Sequence, residues 1–508
     1  MFVRKKKNKS GSTSIQIIDK SIGYKVVQTI GVSKNLEEIK LLIKKAENFI
    51  ETSGGNQIEL FNSETPEELI IENFLAELSN AQIHTIGPEL IFGKLFDRLG
   101  FGIIKQDLFR HIVIARLAYP TSKLKTVDYL YRYRGIKIEI DAIYRFLDKL
   151  SDKYKEIVEK VAYEYSKKIL KNISVVFYDM TTLYFEAEDE DDLRKIGFSK
   201  DGKFQCPQIM LGLLVGQNGY PIGYNIFEGN VFEGHTLLPV LENIQKKYNF
   251  KKPIVVADAA LLSKKNLENL SKQEYKFIIG ARIKNESNEI KQKIVEQAKG
   301  IKDGQNFVIK KPNGTKLIVT YSEKRKKKDN HNRERGLFKL RQRVESGKLT
   351  KENINNRGYN KFLTLKGIVK VEIDEDKIKE DHLWDGLKGY ITNTRLSAKN
   401  IVENYRHLWQ IEKAFRISKT DLKIRPIYHY RRKRIESHIC IAFVAYTIYK
   451  ELERLLYNNN AGFSPKRAAE LTHNMYELEY KAPSSCKSKK IILKMDNEQL
   501  TLYKIMND

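Results

Sequence analysis

Apolar and polar positions change rhythm several times along the chain, and each change marks an element. SIQIIDKSIGYKVVQTIGV reads as short strands around a Gly-containing turn. NLEEIKLLIKKAENFI then takes up a helical period that puts Leu42, Ile43 and Phe49 on its apolar side. From Ser63 to Lys168 the period stays helical. Within LFRHIVIARLAYPTSKLKTVDYLYRY it stops at Pro120 and resumes, so one helix ends there and another begins.

Residues 172–283 switch to strand rhythm. ISVVFYD is a β-branched run ending in an aspartate, and PQIMLGLLV and YPIGYNIFEG flank GQNG, a hairpin signal. HTLLPVLENIQKKY predicts a helix, PIVVAD a buried strand, SKKNLENLSK a Ser-capped helix and YKFIIGARI a further strand. That order predicts a mixed sheet with helices on its faces. Between Lys284 and Trp384 the pattern breaks into short β-like pieces (FVIKK, KLIVTYS, GIVKVEI) around KRKKKDNHNRERGLFKLRQR, an inserted subdomain with a basic surface. GYITNT predicts a strand, Ser397 to Lys419 a long helix, and IESHICIAFVAYTIYKELERLLY a mostly buried helix. The divisions expected are 1–62 (strand and helix), 63–168 (helical), 169–283 and 386–460 (two parts of one core), 284–385 (insertion) and 461–508 (helix and basic tail).

Composition narrows the partners. The 508 residues allow several domains, and 41% hydrophobic with 10% aromatic content suits a folded chain. Lys and Arg number 91 against 64 Asp and Glu, a net charge of +27. Such a charge suits a polyanion, because each phosphate neutralised releases counterions. Cys206, Cys440 and Cys486 form no C-x-x-C pair, which argues against a disulfide scaffold or cysteine zinc site. The basic start MFVRKKKNKSGS lacks an apolar core, so it is no secretory signal. The apolar run Ile439 to Tyr449 is too short to span a bilayer. A soluble cytoplasmic protein that binds nucleic acid and no membrane is expected.

Three carboxylates stand out. Asp179 ends VVFYD and Asp258 ends PIVVAD, and a carboxylate is costly to bury without a partner or metal. If the two strands are parallel neighbours, both acids reach the edge where open α/β sheets bind ligands. The bland alternative is that each caps the next turn. Farther on, Leu408, Ile411, Phe415 and Leu422 form an apolar helical stripe with Tyr405, Glu412, Arg416 and Lys419 beside it. A solvated face with a Glu412–Arg416 pair is the alternative there. Three carboxylates without a His–Cys cluster favour Mg²⁺ or Mn²⁺, and two such ions about 3.5–4 Å apart serve phosphoryl transfer. No P-loop, H-E-x-x-H or G-x-S-x-G occurs. Glu186 and Glu188 to Asp192 read as a solvated acidic loop, His235 and Thr236 as a helix cap, and Trp409 as core or a base-stacking ring. The basic run 324–328 reads as a solvated loop or a phosphate track.

Tyr405, Glu412 and Lys419 fall on the signature Y-x2-R-x3-E-x6-K, with Leu408 at the arginine position and Arg406 and Arg416 nearby. On these residues, and on YDMTTLYFE, GFSKDGK, GYPIGYNIFEGN, VVADAALLS and WDGLKGYITNT, the chain resembles the DDE transposases of bacterial insertion sequences. The resemblance implies an α/β fold: an RNase H-like mixed sheet flanked by helices, an N-terminal mostly helical DNA-binding region, and a β-rich insertion before the final catalytic helix. It implies that Asp179, Asp258 and Glu412 are catalytic and hold two Mg²⁺ (or Mn²⁺) ions per site, within roughly 8 Å of one another. Tyr405, Arg416 and Lys419 would contact the DNA strand near the cleaved phosphate. The implied partner is double-stranded DNA, both element ends and target, held by a homodimer in a synaptic complex in the bacterial nucleoid. The activity would be hydrolysis at the terminal inverted repeats and transfer of the 3′-OH to target DNA. An RNase H-like nuclease without strand transfer and a catalytically inactive DNA-binding repressor remain as alternatives.

Overall fold

The computed structural model describes residues 1–20, 23–52, 66–249, 251–261, 263–347, 349–355, 357–366, 370–481 and 488–507. The chain forms two compact units, Met1–Gln82 with Tyr480–Lys489, and Ile83–Glu479 with Lys490–Asp508. The boundary expected at 62/63 lies outside the described residues, as does Cys486.

In the first unit, Phe2–Lys7, Thr13–Asp19 and Lys25–Ser33 form an antiparallel sheet in chain order. Alternation along the middle strand sends Ile15 and Ile17 against Leu42 and Ala46 of the helix Leu36–Thr52. Ile43 and Phe49 pack at the margin of this small core.

The second unit is built on an eight-stranded mixed sheet. Its strand Val175–Tyr184 pairs antiparallel with Gln208–Val215 and parallel with Ile254–Ala257. Gln208–Val215 returns as Pro221–Glu228 through the GQNG turn, where Asn218 (φ 58°) and Gly219 (φ 75°) adopt the left-handed conformation that this sequence permits. On the other side, Ile254–Ala257 pairs parallel with Lys276–Ala281.

Strict alternation splits the buried residues of these strands between two cores. Phe177, Val256 and Ile278, in register across three strands, pack with the helices Asp107–Ala118, Trp409–Thr420 and Arg432–Asn458. Val176, Tyr178, Val255 and Phe277 face the other way, onto the helix Leu237–Tyr248. Arg432–Asn458 is buried along most of its length, as its composition predicted. Among the described residues no helix is long and apolar enough to cross a membrane.

The insertion is not wholly separate from this sheet. Leu387–Thr392 pairs antiparallel with Lys276–Ala281, and the hairpin Asn306–Lys310 and Lys316–Tyr321 extends the same sheet beyond it. Its earlier part has a small core where Ile290 and Ile294 of the helix Asn288–Ala298 meet Ile309, Leu317 and Val319. Its later part has another, where Leu337 and Leu340 of the helix Glu323–Glu345 meet Phe362, Leu363, Val371 and Ile378. The basic run 324–328 therefore lies on an exposed helical surface rather than in a loop. At the C-terminal end, Tyr476–Lys481 pairs with Ile83–Thr85. Instead of a tail, the chain closes with the helix Asn497–Asn507, whose Leu502, Ile505 and Met506 are buried.

Candidate active site

Asp179 follows Phe177 by two residues, so alternation puts it on the face covered by the helix Trp409–Thr420. Tyr178 and Ala257 are register partners on parallel strands, so Asp179 and Asp258 stand at the same level. Asp258 lies just past its strand, and Asp179 lies within one that runs on to Tyr184 instead of ending at the aspartate. Each carboxylate accepts the next backbone N–H, from Met180 at 2.7 Å and from Ala259 at 2.6 Å. Only Asp258 stands before a turn, the short helical turn Ala259–Leu261; the Asp179 bond stays within its own strand, so the capping alternative does not apply to Asp179.

Asp179 sits in a knot of charge. Lys200 Nζ lies 3.7 Å from its Oδ1 and 2.7 Å from Glu233 Oε1, and it donates to the Met180 carbonyl at 2.7 Å. Burial pushes the Asp179 carboxyl up to about 6; Glu233 and Asp258 push the same way, while Lys200 and the Met180 N–H oppose them. Glu233 is held in place by its own turn. The buried Thr236 hydroxyl donates to the Glu233 carbonyl at 2.7 Å and accepts from Tyr178 at 2.8 Å. That hydroxyl makes no helix-capping bond.

Asp258 is tied to the signature helix instead. The Tyr405 hydroxyl donates to its Oδ1 at 3.2 Å. The phenol ring meets Tyr390 edge-on at 4.8 Å and lies under Lys388 Nζ at 4.6 Å. Gly280 makes room for it, because a Cβ there would stand 2.5 Å from the Tyr405 oxygen. Burial, reinforced by Asp258, holds the Tyr405 phenol well above its usual range. Glu412 is exposed on the next helical segment and acts electrostatically on both Tyr405 and Lys388, as Asp258 does. A cavity of about 730 Å³ opens beside Asp258 and Tyr405, with Arg282, Lys284, Arg325 and Lys388 in its wall.

The expected single helix from Ser397 to Lys419 is two, Ala398–Arg406 and Trp409–Thr420, broken at His407 and Leu408. Leu408, at the signature arginine position, is buried in the core. Trp409 is 52% exposed with Lys413 over its ring at 5.8 Å, so it is not a core residue. Lys419 pairs with Asp201, at 3.1 Å, and Arg425 pairs with the same carboxylate. Arg416 is exposed, and among the described residues no hydrogen bond or ion pair joins its side chain to Asp179, Asp258 or Glu412.

Asp179 and Asp258 are therefore brought together, with Tyr405 on one side and Lys200 and Glu233 on the other. Among the described residues, no three His, Cys, Asp or Glu side chains stand close enough to hold a metal ion. The donor chemistry nevertheless fits a hard cation, being carboxylate oxygens around an Asp179 carboxyl raised by burial and then by its acidic neighbours. Sequence reasoning missed Glu233, Lys200, Asp201, Lys388 and Arg425. Lys200 and Asp201 belong to GFSKDGK, and that stretch was the available signal.

Three structures of transposases are similar to the chain. The piggyBac transposase synaptic complex with hairpin DNA shares 10% identity over 76% of each chain, with a TM-score of 0.39. The Mos1 transposase paired-end complex with left transposon end shares 10% over 46% of this chain and 71% of that one (TM-score 0.16). The Mos1 mariner paired-end complex with Mn shares 11% over 46% and 67% (TM-score 0.15). No curated protein matches. The model of the transposase DDE domain matches residues 171–448, more than half of the chain and the whole of the carboxylate-bearing sheet and helix, so the chain belongs to the DDE transposase family.

Proposed function

We propose that the protein binds the terminal inverted repeats of an insertion sequence as a homodimer in the bacterial nucleoid. There it hydrolyses the end phosphodiester and transfers the 3′-OH to target DNA. The observation that carries this reading is the level pairing of Asp179 and Asp258 on neighbouring parallel strands. The strand order around Val175–Tyr184, a hairpin on one side and two parallel strands on the other, supports an RNase H-like core.

Asp179, Asp258 and Glu412 would hold Mg²⁺ or Mn²⁺. Two such ions supply stabilisation of the attacking and leaving oxygens in phosphoryl transfer. The raised carboxyl of Asp179 supports cation binding, because a charged neighbour would relieve it. Until then, Lys200 neutralises Asp179 and Glu233. Tyr405 fixes Asp258 through its hydroxyl, and Lys388 keeps a positive charge over that ring. Lys419, Arg416 and the basic cavity wall would meet the strand near the cleaved phosphate, in line with the net charge of +27.

The test is incubation of the full chain with labelled element ends and a target duplex, with and without Mg²⁺. Metal-dependent cleavage followed by joined product is expected. Cleavage without joining would reduce the reading to a nuclease, and binding alone would reduce it to a repressor.

A further inference from the structure

A second cavity, of about 490 Å³, lies between the start of the helix Lys123–Arg134 and the segment that follows Lys419. Arginine, lysine and histidine line it, and it has no aspartate or glutamate in its wall. Lys123, at the first helical position, is only 5% exposed. Among the described residues its ammonium has neither a hydrogen-bond nor an ion-pair partner. Burying an unpaired ammonium is costly, so a lysine placed there calls for an anion.

Its neighbours do not supply one. Arg116 is buried and donates only to the carbonyls of Leu422 and Lys423, at 3.4 and 3.3 Å. His438 gives one ring nitrogen to the Ile424 carbonyl at 2.8 Å, and its Nδ1 is buried without a partner. His429 is also buried, meeting Tyr144 and His438 edge-on. The nearby acids are engaged, Asp148 by Nε and Nη2 of Arg434, each at 2.9 Å, and Asp201 by Arg425 and Lys419. Ser122 caps the helix start, accepting from the Lys125 N–H at 3.3 Å, and the start carries the positive end of the helix dipole.

We propose that this cavity binds a phosphate group, with Lys123 at its centre and Arg116, His429 and His438 around it. Burial and mutual repulsion hold Lys123, His429 and His438 below their usual pKa ranges, and a bound anion would counter that repulsion. The phosphate belongs either to the backbone of bound DNA or to a free anion. Arg425 lines the cavity and shares Asp201 with Lys419, which makes a cationic path from the candidate active site and favours the backbone source. That arm rests on the transposase reading; the free-anion arm does not.

Thermal unfolding of the full chain tests it, with inorganic phosphate titrated against sodium chloride at matched ionic strength. Wild type should show a saturable rise in Tm that Lys123→Met lacks, and without phosphate the variant should melt no lower than wild type. The salt dependence of binding to duplex DNA separates the sources. A backbone phosphate in the cavity predicts a slope of log K against log salt smaller by about one in the variant, whereas a free anion leaves it unchanged. His429→Gln, read in the same way, stands in should Lys123→Met fail to fold. A folded variant equal to wild type in both phosphate response and slope would overturn the proposal.

Discussion

The Tyr405 hydroxyl donates to Asp258 across 147 residues of sequence, at 3.2 Å. This bond ties the second aspartate of the sheet to the helical segment that leads into Glu412. Asp258 projects just past the end of its strand and is exposed, so the bond limits where its carboxylate can turn.

Tyr405→Phe keeps the ring against Tyr390 and removes only that bond. A hydrogen bond to a charged group contributes about 1.5–3 kcal/mol. If its loss falls on the transition state, cleavage should slow about 10- to 100-fold, at about 1.4 kcal/mol per decade. Gly280→Ala should act similarly by displacing the phenol. Single-turnover cleavage of labelled ends, with affinity measured in parallel, checks both variants; unchanged rates would leave Tyr405 a packing residue.

Lys200 is the cation between Asp179 and Glu233. Lys200→Met should lower Tm in EDTA, because two carboxylates then face each other unneutralised. Added Mg²⁺ should recover part of the loss. An equal drop with and without Mg²⁺ would mean that the cluster does not take up the ion.

These relationships show where the sequence was legible. The run VVFYD, the GQNG hairpin and PIVVAD are local patterns, and each folds as the element its rhythm predicted, except that the first strand runs on past Asp179 to Tyr184. The sheet's extension through Lys316–Tyr321 was not legible, since it depends on pairing with Leu387–Thr392 far along the chain. Nor was the break at His407 and Leu408, because helical periodicity runs on through a single irregular turn. Asp179, Asp258 and Glu412 could be listed from the sequence as candidates, whereas Glu233 could not. That Lys200 and Glu233 join Asp179, while Lys419 turns to Asp201, follows only from tertiary packing.

Asp381 anchors the insertion by accepting from Lys284 at 2.6 Å, Lys361 at 2.7 Å and Arg333 at 3.2 Å. Burial alone would raise its carboxyl, but the hydrogen bonds from Lys284 and Lys361 prevail and set it at about 2. A depressed folded value means stability present above the ordinary carboxylate pKa of about 3.9 and lost as pH falls toward 2. Asp381→Asn should flatten the acid limb of Tm against pH over that window. A limb as steep as wild type would assign the acid sensitivity elsewhere.

Glu451 is fully buried, accepting from Tyr220 at 2.9 Å and from two Arg454 nitrogens at 2.9 and 2.6 Å. Removing one partner of a buried pair costs about 3–5 kcal/mol. Glu451→Ala should fall near the lower end, because Arg454 is partly exposed and can turn to water. Urea unfolding of the full chain measures it, and a loss below about 1 kcal/mol would mean that the pair is solvated.

The central claim is that Asp179, Asp258 and Glu412 perform the cleavage and do not hold the duplex. Asp179→Asn, Asp258→Asn and Glu412→Gln should be compared with wild type for both affinity and Mg²⁺-dependent cleavage of the same labelled end. Near-wild-type affinity with cleavage abolished in all three is the expected result. Any one of them cutting at the wild-type rate would remove that residue from the site, and such a rate for Asp179→Asn or Asp258→Asn would contradict the account at its centre.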